Sequence, residues 1–411
     1  MGTDKLDQSL IRELQILETD GLAKPPERII EHYLPPKNPF GPRYLLKDCS
    51  IEFIRMNSNS YLSLSHHPAL LAAADEAAIQ FGVGPGAVRF IDGTFTPHVQ
   101  LEDRIAAFVG KPAGKIFNSA YTANCGLALA LSSEKTFWIT DQLNHNSIIR
   151  AMRISNVPSK NKCIYPHNDM AGLKKCLEAV PPDMERVLVI FDGIFSMRGD
   201  YAPIQEINAL CRKFSANFKD GVISIVDDSH GIGAFGSTGR GTSEFCGESS
   251  DIIVGTFGKA FGVNGGFVAA SQRVIEAVRQ KADTYIYTNP LSAADCAAAI
   301  TAIDLCDSDK GAALLKTLQA NTRRFRAGLK HLGLESIDGP HPVVPLMVRD
   351  TAGTRALVNY LFENGVLVVG ISFPVVPRGE EALRFQLNAC HTPADIDHVI
   401  DLLDRFKLHG G

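Results

Sequence analysis

A chain of 411 residues, 45% hydrophobic and 21% charged, has the makeup of a soluble globular protein of two or three domains. Its net charge of −4, with no block of like charge, gives no electrostatic basis for holding nucleic acid or anionic lipid. No apolar run approaches the roughly 20 residues of a membrane helix, and the polar start (Thr3 to Leu6) leaves no room for a secretory apolar segment.

The nine cysteines (Cys49, Cys125, Cys163, Cys176, Cys211, Cys246, Cys296, Cys306 and Cys390) are scattered and form no C-x-x-C pair. That spacing predicts neither a disulfide framework nor a zinc site, and a reducing, cytoplasmic setting.

Residues 4–20 carry apolar side chains at helical spacing and should stop near Gly21. Several prolines in 22–42 predict an irregular arm, and SNSYLSLSHHP at 58–68 is rich in turn formers. Beyond residue 70, helices alternate with short apolar strands. VLVIFD (187–192), VISIVDD (222–228) and DIIVGTF (251–257) are almost uninterrupted in hydrophobicity. Strands of that kind are buried on both faces, in a mainly parallel sheet flanked by helices. PLSAADCAAAITAIDLC then predicts a long helix, and VVPLMV (343–348) and LRFQLN (383–388) predict strands of a smaller α/β unit. The expected division is an N-terminal helix and arm over 1–56, a large domain over 57–289 and a C-terminal domain over 290–411.

Open parallel sheets bind ligands beyond the carboxyl ends of their strands. Three such ends here run into GIFSMRGD, SHG and GKAFG, offering Ser196, Asp227, His230 and Lys259 to one crevice. Lys259 lies in the small-residue loop T-F-G-K-A-F-G, where poor solvation lowers an amine's pKa and makes it nucleophilic. A solvated surface lysine is the ordinary alternative, and the apolar strand and glycines around Lys259 argue against it. Asp227 at a buried strand end needs a cationic partner, such as a protonated pyridine, or else caps the next turn. His230 could support that contact or pack at the sheet edge. His145, in D-x-x-x-H-x-S-I, could stack on a flat ring or be a satisfied loop histidine. GIGAFG (231–236) matches a dinucleotide-binding fingerprint, yet STGRGTSEF after it does not open a helix, so a nicotinamide cofactor is not expected.

Eight segments in order resemble the α-oxoamine synthases, a branch of the pyridoxal 5'-phosphate (PLP) enzymes of fold type I. They are NSNSYLSLSHHP, GPGAVRFIDGTFTPHVQLE, FNSAYTANCGL, DQLNHNSI, FSMRGDYAPI, VDDSHGIGAFGSTGRG, GTFGKAFGVNGG and RFQLNACHTPADI. The resemblance runs from Asn57 to Asp395. It implies an α/β fold like that of aspartate aminotransferase, and decarboxylative condensation of a small amino acid with an acyl thioester, from CoA or a carrier. It implies a Schiff base to Lys259, which also shuttles protons. Asp227 would pair the ring nitrogen, His230 the phenolic oxygen, and His145 would stack on the ring. Ser119, Ala120, Tyr121 and Thr256 would lie by the phosphate, with Thr288 reaching it across a homodimer interface. Ser196 would sit beside the ring, Asn59 would approach the substrate, and Arg384 would bind the amino-acid carboxylate. Ala120, Asp192, Arg198, Ser60, Ser63, Asn146 and Arg150 depart from the family pattern near the active-site mouth, which leaves the substrate pair open. Transamination, retro-aldol cleavage or a non-catalytic partner subunit are the alternatives within the same fold.

Overall fold

The computed structural model describes residues 2–20, 22–373 and 376–408. The first helix spans Asp4–Thr19 with no residue buried, and the stop expected at Gly21 falls outside the described residues. The proline-rich arm is more ordered than its composition suggests. Strands β1 (Ile30–Leu34), β2 (Arg43–Leu46) and β3 (Glu52–Arg55) form an antiparallel ribbon. Asp395, from the helix Pro393–Leu408, fastens this arm by accepting from the Gly41 N–H at 2.9 Å and Arg43 Nη2 at 2.7 Å.

The central sheet has seven strands: β4 (Ala113–Phe117), β5 (Thr136–Asp141), β6 (Lys162–Tyr165), β7 (Arg186–Asp192), β8 (Val222–Asp227), β9 (Ile252–Thr256) and β10 (Gly266–Ala270). Their order is β4-β10-β9-β8-β7-β5-β6, parallel except for β10. The apolar runs explain the layering. Along β7, Val187, Val189 and Phe191 enter one core, while Leu188 and Ile190 enter a second on the opposite face. All five are at most 2% exposed, so alternate side chains are buried to either side. Each contributes about 1.5–3 kcal/mol by leaving water.

The remaining strands are β11 (Val343–Met347), β12 (Val366–Leu367), β13 (Val369–Ile371) and β14 (Ala382–Gln386). Strands β11, β14 and β13 make a small antiparallel sheet, and β12 adds parallel to β3. The expected long helix runs Ala293–Cys306.

One expectation needs correction. Cys163 and Cys176 form a disulfide, with Cα atoms 6.0 Å apart. The helix Met170–Glu178 returns against β6 and brings the two together, which no spacing motif announces. The other seven cysteines are free.

Candidate active site

Strands β7, β8 and β9 lie side by side, with Asp192 in register with Asp227, and Asp227 with Val254. Their carboxyl ends and the start of the helix Ala120–Leu131 enclose a cavity of about 240 Å3. It is lined by Ser119, Ala120, Tyr121, His145, Ser196, Asp227, His230, Thr256 and Lys259, together with Ser147, Asp192, Ile194 and Ser229. Nine of the twelve expected site residues therefore share one chamber.

Asp227 is 5% exposed. Its Oδ2 accepts from Asn124 Nδ2 at 2.7 Å, and its Oδ1 from the Ser229 N–H at 3.1 Å. Asn124 also donates to Ser147 Oγ at 3.0 Å, and Ser147 Oγ lies 2.8 Å from His145 Nδ1. The His145 N–H donates to Asp192 Oδ2 at 2.9 Å. Burial, then the neighbouring Asp227, pushes the Asp192 carboxyl well up. Burial likewise lowers the His145 pKa; Asp227 opposes this and Lys259 adds to it, so the ring is neutral at neutral pH.

His230 receives its partner from far along the chain: the Tyr61 hydroxyl is 2.7 Å from Nδ1. Burial, with the charge of Lys259 next, holds this imidazole well below its usual range. Burial also lowers the Lys259 amine to about 8 against the pull of Asp227 and Asp192. Beneath the chamber, Asp228 accepts from Thr242 Oγ1 at 2.6 Å and the Thr242 N–H at 2.7 Å, and burial raises it to about 7. Here GIGAFG finds its use. A Cβ at Gly231 would stand 2.1 Å from Asp228 Oδ1, and Gly233 has φ +83°. The chain beyond runs irregularly to the five-residue helix Thr242–Cys246, which excludes the dinucleotide fingerprint.

At the other end of the chamber, Ser119 Oγ caps the helix Ala120–Leu131 by accepting the Thr122 N–H at 3.1 Å. The helix N-terminus presents backbone donors and the positive end of its dipole. Gly266 permits this packing, since a Cβ there would lie 2.2 Å from the Ala120 nitrogen. Thr256 Oγ1 donates to the Gly265 carbonyl at 2.9 Å and accepts from the Gly258 N–H at 3.0 Å.

Three expected residues lie outside the chamber. Asn59 lines an adjoining cavity of about 500 Å3, which also meets Lys259, and its Oδ1 accepts from Gln386 Nε2 at 2.6 Å. Arg384, on β14, donates from Nη1 to the Ser196 carbonyl at 3.1 Å, while its buried Nε has no partner. Thr288 Oγ1 accepts from Asn118 Nδ2 at 3.3 Å, next to the Ser119 cap of its own chain.

Asn124 and Tyr61 back the chamber by contacting Asp227 and His230, and both fall within the quoted motif segments. His167 joins two strand-end loops, with Nδ1 3.1 Å from Asp141 Oδ1 and Nε2 3.1 Å from Asp200 Oδ2. Burial opposes its charge, but the two carboxylates outweigh it and raise the pKa to about 9.

The donor set fits PLP. A helix N-terminus suits a phosphate, a buried carboxylate suits a cationic ring nitrogen, and a lysine of lowered pKa suits an aldehyde. Ser229 Oγ is buried without a partner in the same chamber.

Residues 51–403 match the family described as aminotransferase class I and II. The chain is 40% identical over 355 residues to 8-amino-7-oxononanoate synthase of Geotalea daltonii, covering 86% of this chain and 88% of that one. It belongs to the α-oxoamine synthase branch of the aminotransferase class I and II family. It is also 36% identical over 356 residues to 2-amino-3-ketobutyrate coenzyme A ligase of Salmonella typhimurium, covering 86% and 87%. Serine palmitoyltransferase from S. paucimobilis superposes with a TM-score of 0.85 at 29% identity, covering 98% and 97%. The fold is that of type I PLP enzymes, and PLP is the cofactor of this α-oxoamine synthase. Among the described residues, no helix is long and apolar enough to cross a membrane.

Proposed function

We propose that the chain condenses a small amino acid with an acyl thioester, releasing the thiol and CO2 and yielding an α-amino ketone. The observation that carries this reading is the chamber itself, where Lys259, Asp227, His230 and His145 converge beside a capped helix N-terminus. Bound PLP supplies the electron sink for the pair left on the amino acid's α-carbon.

This chain's own groups do the rest. Ser119, Ala120, Tyr121 and Thr256 would hold the phosphate. Asp227, kept in place by Asn124 and the Ser229 N–H, would hold a proton on the ring nitrogen. His230 would meet the phenolic oxygen, and His145 and Ser196 would contact the ring. Lys259 would anchor the cofactor, and its amine, with a pKa lowered to about 8, would take the α-proton as a base near neutrality. Arg384, with an unpartnered Nε, binds the amino-acid carboxylate, and Asn59 approaches the substrate from the second cavity.

The working unit is a cytoplasmic homodimer in which Thr288 serves the partner's phosphate. The exposure of Ile79, Val83, Phe90, Ile91 and Tyr287 supports a covering subunit. Glycine, alanine and serine, each offered with a series of acyl-CoA donors, test the reading through thiol release. At least one pair should release thiol, whereas keto-acid formation without thiol would assign the site to transamination.

A further inference from the structure

A second chamber of about 360 Å3 opens from the first. His145 and Ser196 line both, so the two share a wall at the reacting centre. Its lining is largely apolar, including Leu143, Met347, Ile371 and Val376, and it lies between the β5 and β7 end loops and the small sheet. The Arg384 guanidinium borders it, with Nη1 on the Ser196 carbonyl and 3.9 Å from Met197 Sδ. A chain placed here would run past Arg384 at the wall shared with the amino acid and leave its own reactive end beside His145.

The charge of the lining narrows the ligand. Among the described lining residues Arg198 is the one arginine or lysine. Its Nε already donates to Asp200 Oδ2 at 2.9 Å, and Glu380 adds an exposed carboxylate to the same lining. A carboxylate at the far end of such a chain would meet Arg198, already paired with Asp200, and the like charge of Glu380, while Arg384 stands at the reacting end and serves the amino acid. A neutral methylene chain meets mostly apolar side chains. This separates the chain from a dicarboxylic donor on the strength of its own lining.

Building on the reaction proposed above, we infer that this chamber binds the hydrocarbon tail of the acyl thioester, and that the donor is a neutral straight-chain acyl group of medium length. Each methylene entering it should raise kcat/KM about fourfold until the chamber is full.

The test uses holoenzyme and straight-chain donors from acetyl to decanoyl, with heptanedioyl against heptanoyl as the charge comparison. The series is run as CoA and as N-acetylcysteamine thioesters, which separates reading of the chain from reading of the nucleotide. The expected result is a rise with length in both series and a loss of about tenfold or more for the dicarboxylic donor. Leu143→Trp, at a residue 43% exposed, and Met347→Trp should each cut the octanoyl-to-acetyl ratio of kcat/KM by about tenfold. Thiol release independent of chain length, a rise in only one series, or a preference for heptanedioyl would overturn the acyl-chain assignment and leave the reaction standing. No thiol release from any donor would overturn the reaction itself.

Discussion

The Tyr61 hydroxyl stands 2.7 Å from Nδ1 of His230, joining the turn-rich segment after β3 to the end of β8. Burial pushes the Tyr61 phenol up, so it remains protonated and donates. Nδ1 then accepts, and the ring's other nitrogen carries the hydrogen that faces the chamber. Tyr61→Phe removes the constraint on the tautomer. The variant should keep its cofactor, show a shifted visible absorbance when loaded, and lose about tenfold in kcat. An unchanged spectrum and rate would show that Tyr61 only packs.

Lys259 should react as a neutral amine at unusually low pH. With its pKa at about 8, the neutral fraction rises steeply between pH 7 and 9 rather than near the usual lysine value of about 10.4. The rate at which apoenzyme takes up PLP should therefore climb through an inflection close to pH 8. A rate still rising in proportion to hydroxide at pH 9.5 would refute the lowered pKa.

Asp227→Asn keeps the side chain's shape, offers one acceptor oxygen to the two donors Asn124 Nδ2 and Ser229 N–H, and removes the charge that would keep the ring nitrogen protonated. Exchange of the amino acid's α-proton with deuterated water should slow by about a hundredfold or more. Wild-type exchange in this variant would contradict the role given to Asp227.

Two histidines, half-buried His167 and buried His341, shape stability with opposite signs. His167, raised to about 9 in the fold against about 6.5 unfolded, contributes stability that is complete below pH 6.5 and lost as pH rises through 9. His341 is lowered to about 3, chiefly by burial, so its contribution is complete above pH 6.5 and lost as pH falls toward 3. Each limb has a slope of about 1.4 kcal/mol per pH unit. Denaturant unfolding of wild type and His167→Gln from pH 6.5 to 8.5 isolates the alkaline limb. The wild-type advantage should shrink by more than about 1 kcal/mol across it, and a constant difference would show that His167 is not charged in the fold.

The catalytic chamber was legible where chemistry and strand pattern coincide. The apolar run VISIVD ends at Asp227 and DIIVGT ends three residues before Lys259, so strand ends alone set those groups side by side. The contacts that orient them were not legible. Tyr61 and His230 are 169 positions apart, and Asn124 and Asp227 are 103 apart. Such pairings depend on how loops fold back over the sheet, which hydrophobic periodicity does not encode. The same holds for the pairing of β3 with β12, which brings an N-terminal segment against a C-terminal one. The Cys163–Cys176 bond likewise comes from a helix turning back on an edge strand, and scattered spacing pointed the other way.

The central claim is decarboxylative condensation, and its most direct measurement is stoichiometry. Holoenzyme is given a carboxyl-labelled amino acid and an acyl-CoA, and labelled CO2 and free thiol are counted together. One CO2 should appear for each thiol released, with both lost in Lys259→Ala. Thiol without CO2 would make this a condensing enzyme that retains the carboxylate, and turnover that persists in Lys259→Ala would contradict the account outright.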